Sequence, residues 1–253
     1  MTRLMIIPAA GTGSRLGGEI PKALAPVAGR PMIDHLLRLY APTVDAFVVV
    51  VSPAARAQFE AHLGGSKTAI DLVEQPVATG MLDALLEARD CVSGRQLDRV
   101  WITWCDQLAV SPSTIARLIG AETTRPEPAM VLPTCQVADP YIHFERDVAG
   151  RIVAVRHRRE GDPMPPIGES DMGLFSLSRE AFLRELNDFA EASGRGDVTR
   201  ERNFLPFIPW LAADGRVVTF PCADPIEAVG INTPEDLRRI EEYFRETRAG
   251  TVS

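Results

Sequence analysis

The sequence predicts an α/β fold, in which a mostly parallel sheet carries helices on both faces. Short β-rich runs alternate along the chain with amphipathic helical patterns, and that order is typical of strands joined by crossover helices. Residues 47–51 are apolar throughout, as expected of a strand that is buried on both faces. With 253 residues, the chain is long enough to form one domain with a large core.

Turn and capping signals bound the elements. Pro31 is well placed to begin a helix, Gly64 and Gly65 end the next one, and Ser111 and Thr233 are capping residues for two later helices. The predicted strands are 3–7, 47–51, 70–74, 100–104, 129–133, 173–177 and 217–220, with a hairpin of 141–146 and 152–158. The predicted helices are 31–40, 53–63, 81–88, 111–119, 178–189, 204–213 and one that begins at Thr233. Residues 191–202 are polar and predict a mobile loop.

Composition and charge exclude several classes of function. The formal net charge of -7 argues against a general nucleic-acid-binding protein, which would carry a basic surface. No apolar segment approaches the length needed to cross a bilayer, so no membrane association is expected. The four cysteines have no C-x-x-C spacing, which argues against a zinc site or a disulfide framework. A cytoplasmic location is the simplest expectation.

A small-residue loop directly after the first strand is the most informative motif. It reads Pro8-Ala9-Ala10-Gly11-Thr12-Gly13-Ser14-Arg15-Leu16 and is followed by Pro21-Lys22-Ala23-Leu24. Small side chains let backbone N–H groups approach phosphate oxygens, and the two cations supply charge that a triphosphate requires. The motif is neither a Walker loop, which ends in G-K-[ST], nor G-x-G-x-x-G, because Leu16 replaces the third Gly.

This stretch resembles the signature of the sugar-nucleotide pyrophosphorylases, A-A-G-x-G-x-R-L followed by P-K-x-L, with the spacing of the N-acetylglucosamine-1-phosphate uridylyltransferases. The resemblance implies a Rossmann-like, glycosyltransferase-A-like nucleotidyltransferase fold. It implies one domain over 1–253, with a nucleotide-binding lobe at about 1–110 and an acceptor-binding lobe at about 111–253. The residues that it assigns to the nucleotide phosphates are Ala9, Ala10, Gly11 and Gly13, with Arg15 at the β- and γ-phosphates and Lys22 at the reacting phosphates.

Two further motifs agree with the same family in their order along the chain. Asp106 follows an apolar strand, and Asn232 lies in a Gly230-Ile231-Asn232-Thr233 run that is similar to the family's G-[IV]-N-[TN] element. The resemblance implies that Asp106 and Asn232 hold one Mg²⁺, an ion that typically takes only one or two protein ligands. Taken alone, an Asp after a strand is more often a turn former or a helix cap, and Asn232 could be a turn residue before the Thr233 cap. The agreement of the two motifs in order and separation favours the metal site.

A polar turn after the third strand is similar to the family's base-recognition loop. Gln75 carries an amide that can pair with a pyrimidine edge, and Thr79 and Gly80 form the turn that follows. The alternative is a plain polar loop that leads into a helix. An amide can rotate to suit several bases, so the identity of the base is left open.

The acceptor half departs from the family pattern. Where the family has V-E-x-K, this chain has Val155-Arg156-His157-Arg158-Arg159, with His157 near the expected Glu and Arg159 near the expected Lys. Asp171 stands where the family has an Asn. A solvated strand end is an equally good explanation of this charged run. If the run is functional, an imidazole beside three guanidinium groups predicts an acceptor with extra anionic character.

Together these features predict a Mg²⁺-dependent nucleotidyltransferase, which joins a nucleoside triphosphate to a sugar 1-phosphate or a similar phosphorylated small molecule and releases pyrophosphate. The run Cys105-Asp106-Gln107 also resembles the molybdopterin-type cofactor cytidylyltransferases, which is one alternative. A non-catalytic nucleotide-binding regulatory protein is another. A homo-oligomeric state is compatible with the sequence. We expect His35, His62 and His143 to be structural and the three tryptophans to lie in the core.

Overall fold

The structure, a computed structural model, describes residues 1–11 and 20–250. The strands are β1 (Arg3–Pro8), β2 (Pro26–Val27), β3 (Arg30–Pro31), β4 (Ala46–Val51), β5 (Ile70–Glu74), β6 (Arg99–Thr103), β7 (Met130–Ala138), β8 (Ile142–Arg146), β9 (Ile152–His157), β10 (Ile167–Asp171), β11 (Leu174–Ser178) and β12 (Val217–Pro221). The helices are α1 (Met32–Tyr40), α2 (Arg56–Leu63), α3 (Met81–Glu87), α4 (Arg89–Ser93), α5 (Pro112–Glu122), α6 (Leu186–Ala192), α7 (Phe207–Ala212) and α8 (Pro234–Gly250). Short 3₁₀ turns cover Lys22–Leu24, Arg158–Glu160 and Pro225–Ala228, and a π-helical turn, Ala181–Glu185, precedes α6.

A mixed, mostly parallel sheet of eight strands forms the centre, in the order β10-β7-β11-β6-β1-β4-β5, with β12 paired to β7. Strands β6, β1, β4 and β5 are parallel to one another, whereas β10 and β11 run antiparallel to their neighbours. Strands β8 and β9 form a separate hairpin. The predicted fold class is therefore confirmed. Because β1, β4, β5 and β6 are parallel, the segments that follow them meet at one edge of the sheet.

Successive residues of the central strands serve two cores, because side chains alternate between the faces of a strand. In β1, Leu4 and Ile6 pack against one group of helices, and Met5 and Ile7 against the other. One face is covered by α3, α6 and α7, and the other by α1, α2, α5 and α8. The helices thus lie on both faces, as predicted.

Most predicted elements are observed within a few residues of their predicted bounds. The capping predictions are confirmed as well: Ser111 Oγ accepts a hydrogen bond from Thr114 N (3.2 Å), and Thr233 Oγ1 accepts one from Asp236 N (3.2 Å). Strand β10 was not predicted, because it is short and contains a glycine and two acidic residues. The predicted helix 204–213 is shorter, and its regular part is α7.

The tryptophan prediction is right for Trp101, which is fully buried in β6, and wrong for Trp210, which is 44% exposed. Helix α7 directs Phe207, Ile208 and Leu211 into the core, and Trp210 lies at the edge of that face, where its ring contacts Phe189 at 5.7 Å between centroids. An apolar residue in a helix is therefore not enough to predict burial. No helix within 1–11 and 20–250 has both the length and the apolar character of a membrane span.

A buried carboxylate holds the middle of the sheet together. Glu122, at the end of α5, accepts hydrogen bonds from Arg3 (2.8 Å from Nη2), from the Trp101 indole and from Ser176 Oγ (2.6 Å). The Arg99 guanidinium lies 3.8 Å away, and both Glu122 and Arg99 have no exposed surface. One side chain thus joins β1, β6, β11 and α5.

Candidate active site

Three side chains from distant parts of the chain meet at the carboxyl edge of the sheet. Lys22 lies in the first 3₁₀ turn, Asp106 follows β6, and Asn232 precedes α8. The Lys22 ammonium forms an ion pair with Asp106 Oδ2 and donates to Asn232 Oδ1 at 2.8 Å. The side chains of Lys22 and Asp106 are 15% and 14% exposed. The structure therefore brings together the residue that the resemblance assigns to the reacting phosphates and the two that it assigns to Mg²⁺.

Gly230 is the residue around which this cluster is packed. A Cβ at this position would lie 3.3 Å from both Gln107 Nε2 and Asn232 Nδ2, and 3.4 Å from Asp106 Oδ1. Asn232 Nδ2 donates to the Gly230 carbonyl, which leaves the amide oxygen directed at Lys22. The Ile231 N–H donates to the Asp106 carbonyl at 3.2 Å, so the two loops are also joined through their backbones.

The phosphate-loop prediction concerns residues that the structure describes only in part. Ala9 is buried, and its N–H donates to the Val50 carbonyl at 2.7 Å, whereas Ala10 is half-buried and Gly11 is exposed. Gly13 and Arg15 lie outside the described residues. The roles of all five in phosphate binding stay predictions.

Gln75 takes part in the structure of its own loop. The side chain is only 5% exposed, and its Nε2 donates to the Gly80 carbonyl at 3.0 Å. Thr79 and Gly80 are half-buried, and Gly80 has a φ of +126°, which favours glycine. The loop-closing contact of Gln75 was missed by sequence reasoning, and its role in recognising a base stays a prediction.

The predicted acceptor residues fall into two places. His157 lines a cavity of about 380 Å³ between the β8–β9 hairpin and residues 193–206. Its ring contacts Tyr141 edge-on at 5.2 Å between centroids, and burial lowers the pKa of its imidazole. Arg159 is exposed and pairs with Glu201 at 3.2 Å. Asp171 lies elsewhere, at the end of β10.

The structure removes the reason for expecting an acceptor with extra anionic character. Each guanidinium of the charged run has a carboxylate partner from another part of the chain. The pairs are Arg156 with Glu145 (2.8 Å), Arg158 with Asp139, and Arg159 with Glu201. Since these cations are already paired, the run does not form an unsatisfied basic patch.

Asp171 lies beside the Lys22, Asp106 and Asn232 cluster. Its Oδ1 accepts a hydrogen bond from Gly173 N at 2.8 Å, and the Asp171 carboxyl also forms a hydrogen bond with the Trp104 side chain. Burial raises the pKa of the Asp171 carboxyl to about 6, and the nearby Asp106 adds to this effect. Gly173 has a φ of +68°, and a Cβ there would lie 2.5 Å from the Trp104 ring. The glycine is therefore needed for the turn that holds Asp171.

Replacing Asp171 with Asn should stabilise the protein more at pH 7.5 than at pH 4. The folded-state pKa lies above the ordinary value of 3.8, so the stability of the native protein falls as the pH rises from about 4 to about 6. Asn has no carboxyl to ionise, so the stability no longer falls over this pH range, and its amide oxygen can still accept the hydrogen bond from Gly173 N. We expect a gain of about 1–3 kcal/mol at pH 7.5 and little at pH 4, measured by urea denaturation. An equal gain in the free energy of unfolding at pH 7.5 and pH 4 would contradict the raised pKa of the Asp171 carboxyl.

Sequence reasoning did not single out two residues that join the loops near the predicted site. Glu160 accepts hydrogen bonds from the backbone N–H groups of Val198 and Thr199, and Arg202 pairs with Asp83 at 2.6 Å. Glu160 stands in a charged run and Arg202 in a polar loop, where no periodicity or motif marks them. A carboxylate and a guanidinium in such surroundings are usually solvated, so only the fold identifies them.

The fold and the site define an α/β protein that gathers a lysine, a carboxylate and an amide oxygen at the end of its parallel strands. The model of the MobA-like NTP transferase domain matches residues 5–171. The chain belongs to the MobA-like NTP transferase family.

Curated proteins are similar to this chain over more than half of its length. The bifunctional protein GlmU of Novosphingobium aromaticivorans is 30% identical over 249 residues, which are 96% of this chain and 53% of that protein. The chain thus spans about half the length of this relative. The 2-C-methyl-D-erythritol 4-phosphate cytidylyltransferase of Cereibacter sphaeroides is 34% identical over 160 residues, covering 62% of this chain and 68% of that enzyme. These findings confirm the predicted relationship to the sugar-phosphate nucleotidyltransferases.

A solved structure shows the same fold. The inositol-1-phosphate CTP transferase from T. maritima superposes with a TM-score of 0.71, covering 95% of this chain and 94% of that chain. The two sequences are 19% identical, so this likeness concerns the fold alone. It extends over both predicted lobes.

Proposed function

We propose that this protein is a Mg²⁺-dependent nucleotidyltransferase, which joins a nucleoside triphosphate to a sugar 1-phosphate or a similar phosphorylated acceptor and releases pyrophosphate. The observation that carries the proposal is the meeting of Lys22, Asp106 and Asn232 at the carboxyl edge of the sheet. Ligands of open α/β sheets collect at this edge. Membership of an NTP transferase family supports the same conclusion.

The donor set fits a magnesium ion. Asp106 and Asn232 direct oxygen atoms at the same positively charged group, the Lys22 ammonium, so this position favours a cation. Magnesium prefers such hard oxygen ligands and completes its coordination with phosphate oxygens and water. Asp106 and Asn232 would hold the ion, and a bound Mg²⁺ would neutralise phosphate charge. Among residues 1–11 and 20–250, no group of three or more His, Cys, Asp or Glu forms an alternative metal centre.

Lys22 supplies charge stabilisation from the protein itself. The leaving pyrophosphate gains negative charge as its bond to the α-phosphorus breaks, and an ammonium stabilises that charge more in the transition state than in the ground state. A phosphate nucleophile is already ionised, so no general base is required. In this structure Asp106 and Asn232 hold the ammonium; with those oxygens engaged by Mg²⁺, Lys22 would lose both partners and its charge would be available to phosphate.

On the acceptor side we expect recognition mainly by hydrogen bonds. Asp171 lies next to Asp106, and the cationic run around His157 is neutralised by its own carboxylate partners. The names of the relatives point to polyol or sugar phosphates as acceptors and to CTP as one nucleotide to test. A cytoplasmic location belongs to the proposal and is supported by the four cysteines, all of which are free thiols.

A pyrophosphate-release assay tests the proposal directly. ATP, CTP, GTP and UTP are each combined with Mg²⁺ and a panel of sugar 1-phosphates, polyol phosphates and other phosphorylated acceptors. We expect release with at least one pair, which disappears in excess EDTA and is restored by added Mg²⁺. Clear nucleotide binding without release from any pair would instead favour the non-catalytic regulatory protein.

A molybdopterin-type cytidylyltransferase is the second candidate function. The family description and the Cys105-Asp106-Gln107 run favour it. The two candidates differ in their acceptor, so the assay includes CTP with a molybdopterin-type acceptor. Release with that pair alone would replace the sugar-phosphate proposal.

A further inference from the structure

A polar segment of the second half of the chain lies directly against the loop that follows β5. We define residues 196–203 as the bridging segment. Arg202 uses both of its backbone groups in this contact: its N–H donates to the Thr79 carbonyl at 2.8 Å, and its carbonyl accepts from Leu82 N at 3.0 Å. The Leu82 N–H lies in the first turn of α3 and has no intrahelical partner, so the Arg202 carbonyl satisfies it.

Gly80 permits this close approach. A Cβ on Gly80 would lie 2.5 Å from both the nitrogen and the oxygen of Arg202, which is far inside van der Waals contact. With its φ of +126°, the position is also strained for any residue that carries a side chain. The loop 75–80 and the bridging segment are therefore in direct main-chain contact.

The Arg202 side chain strengthens the same junction. Its guanidinium pairs with Asp83 in the first turn of α3 at 2.6 Å and also donates to the Ala190 carbonyl in α6. The side chains of Arg202 and Asp83 are 23% and 18% exposed, so the pair is largely shielded from solvent. A shielded, charge-assisted hydrogen bond contributes more than an exposed ion pair.

The bridging segment is held at its other end by Glu160. This carboxylate accepts hydrogen bonds from Val198 N (2.9 Å), Thr199 N (3.3 Å), Thr199 Oγ1 and Asn203 Nδ2 (3.3 Å). These donors, the Thr199 hydroxyl above all, lower the pKa of Glu160 to about 2, so it is ionised throughout the neutral range. Glu160 and Asn203 also line the cavity that contains His157.

We propose that the bridging segment couples the nucleotide loop to the cavity of His157, with Arg202 and Glu160 as its positioning residues. Nucleotide binding at loop 75–80 then stabilises the segment, and the segment in turn stabilises the loop in its binding conformation, because such coupling is reciprocal. The inference rests on the proposed function and on the predicted role of loop 75–80 in recognising the base of the nucleotide.

Hydrogen exchange with bound nucleotide tests the coupling without knowledge of the acceptor. ATP, CTP, GTP and UTP are each added with Mg²⁺, and amide exchange is followed in peptides that cover 75–82 and 196–203. We expect the tightest-binding nucleotide to slow exchange in both peptides, by about 5-fold or more in the bridging segment. Nucleotide-dependent protection of 75–82 with unchanged exchange in 196–203 would overturn the inference and leave the proposed function standing.

Two variants and a control separate positioning from folding. In Arg202→Ala the added protection of 196–203 should be lost and the Kd for the nucleotide should rise about 10-fold, whereas Arg202→Lys should recover part of both. The isosteric Glu160→Gln should likewise lose the added protection and raise the nucleotide Kd, with little change in Tm. Arg184→Ala removes an exposed ion pair with Glu180 and should change neither quantity.

The outcomes that count against the coupling are distinct. A nucleotide Kd in Arg202→Ala and Glu160→Gln equal to that of the unmodified protein would overturn the positioning roles. Failure of all four nucleotides to bind the unmodified protein would overturn the proposed function and this inference with it.

Discussion

Replacing Lys22 with Ala is expected to lower the turnover number by about 100- to 1000-fold, which is the usual effect of removing a positioned electrostatic donor. The ammonium lies between Asp106 and Asn232, and no other described lysine or arginine forms an ion pair with Asp106. Its loss removes charge stabilisation of the leaving pyrophosphate and leaves Asp106 without its partner. The measurement is kcat and KM for the nucleotide and acceptor pair that releases pyrophosphate.

The chain offers a matched control for this experiment, because Lys67 is its only other lysine. Lys67 is exposed in the connection between α2 and β5, so Lys67→Ala should retain the native turnover number. Lys22→Arg keeps the charge but changes its geometry and should recover only part of the activity. A Lys22→Ala protein with nearly native kcat would remove Lys22 from the mechanism.

Replacing Glu122 with Ala should lower the free energy of unfolding by about 3–5 kcal/mol, the range found when one partner of a buried charge pair is removed. Glu122 accepts from Arg3, Trp101 and Ser176, all of which would lose their acceptor. Arg99 is fully buried and would lose a counter-charge 3.8 Å away. Urea denaturation measures the change.

Glu127 provides the comparison. It lies 3.6 Å from Arg99 but is 49% exposed, so Glu127→Ala should lower stability by less than about 1 kcal/mol. If both variants lowered the free energy of unfolding by similar amounts, burial would not be the reason that the Glu122 contacts stabilise the protein. A loss below about 1 kcal/mol for Glu122→Ala would contradict its role in joining β1, β6, β11 and α5.

Local sequence patterns were sufficient to predict most strands of the central sheet and most helices that cover it. The apolar run at 47–51 and the cap at Ser111 could be predicted because burial and capping leave signals within a few residues. Strand β10 left no such signal, since Gly168, Glu169 and Asp171 depart from a strand pattern and pair only because β7 lies beside them. Trp210 was misplaced because its exposure depends on which side of α7 faces the core.

Side-chain partners from other elements changed the interpretation of the acceptor run. The sequence shows Arg156, Arg158 and Arg159 as three neighbouring cations, but it does not show that Glu145, Asp139 and Glu201 neutralise them. Pairing across a hairpin or between loops has no fixed spacing along the chain. Charge in such a run is therefore a weak guide to the charge of a ligand.

The sequence by itself determined the fold class, the family and the small set of residues that carry the proposed chemistry, because alternating apolar patterns and short motifs are local properties. The tertiary structure decided which of those residues meet. Lys22, Asp106 and Asn232 come from three separate regions and share a cluster, whereas His157 and Asp171 occupy different places. The physical reason is that the parallel strands bring their ends to one edge, and the contacts formed there depend on packing across the whole sheet.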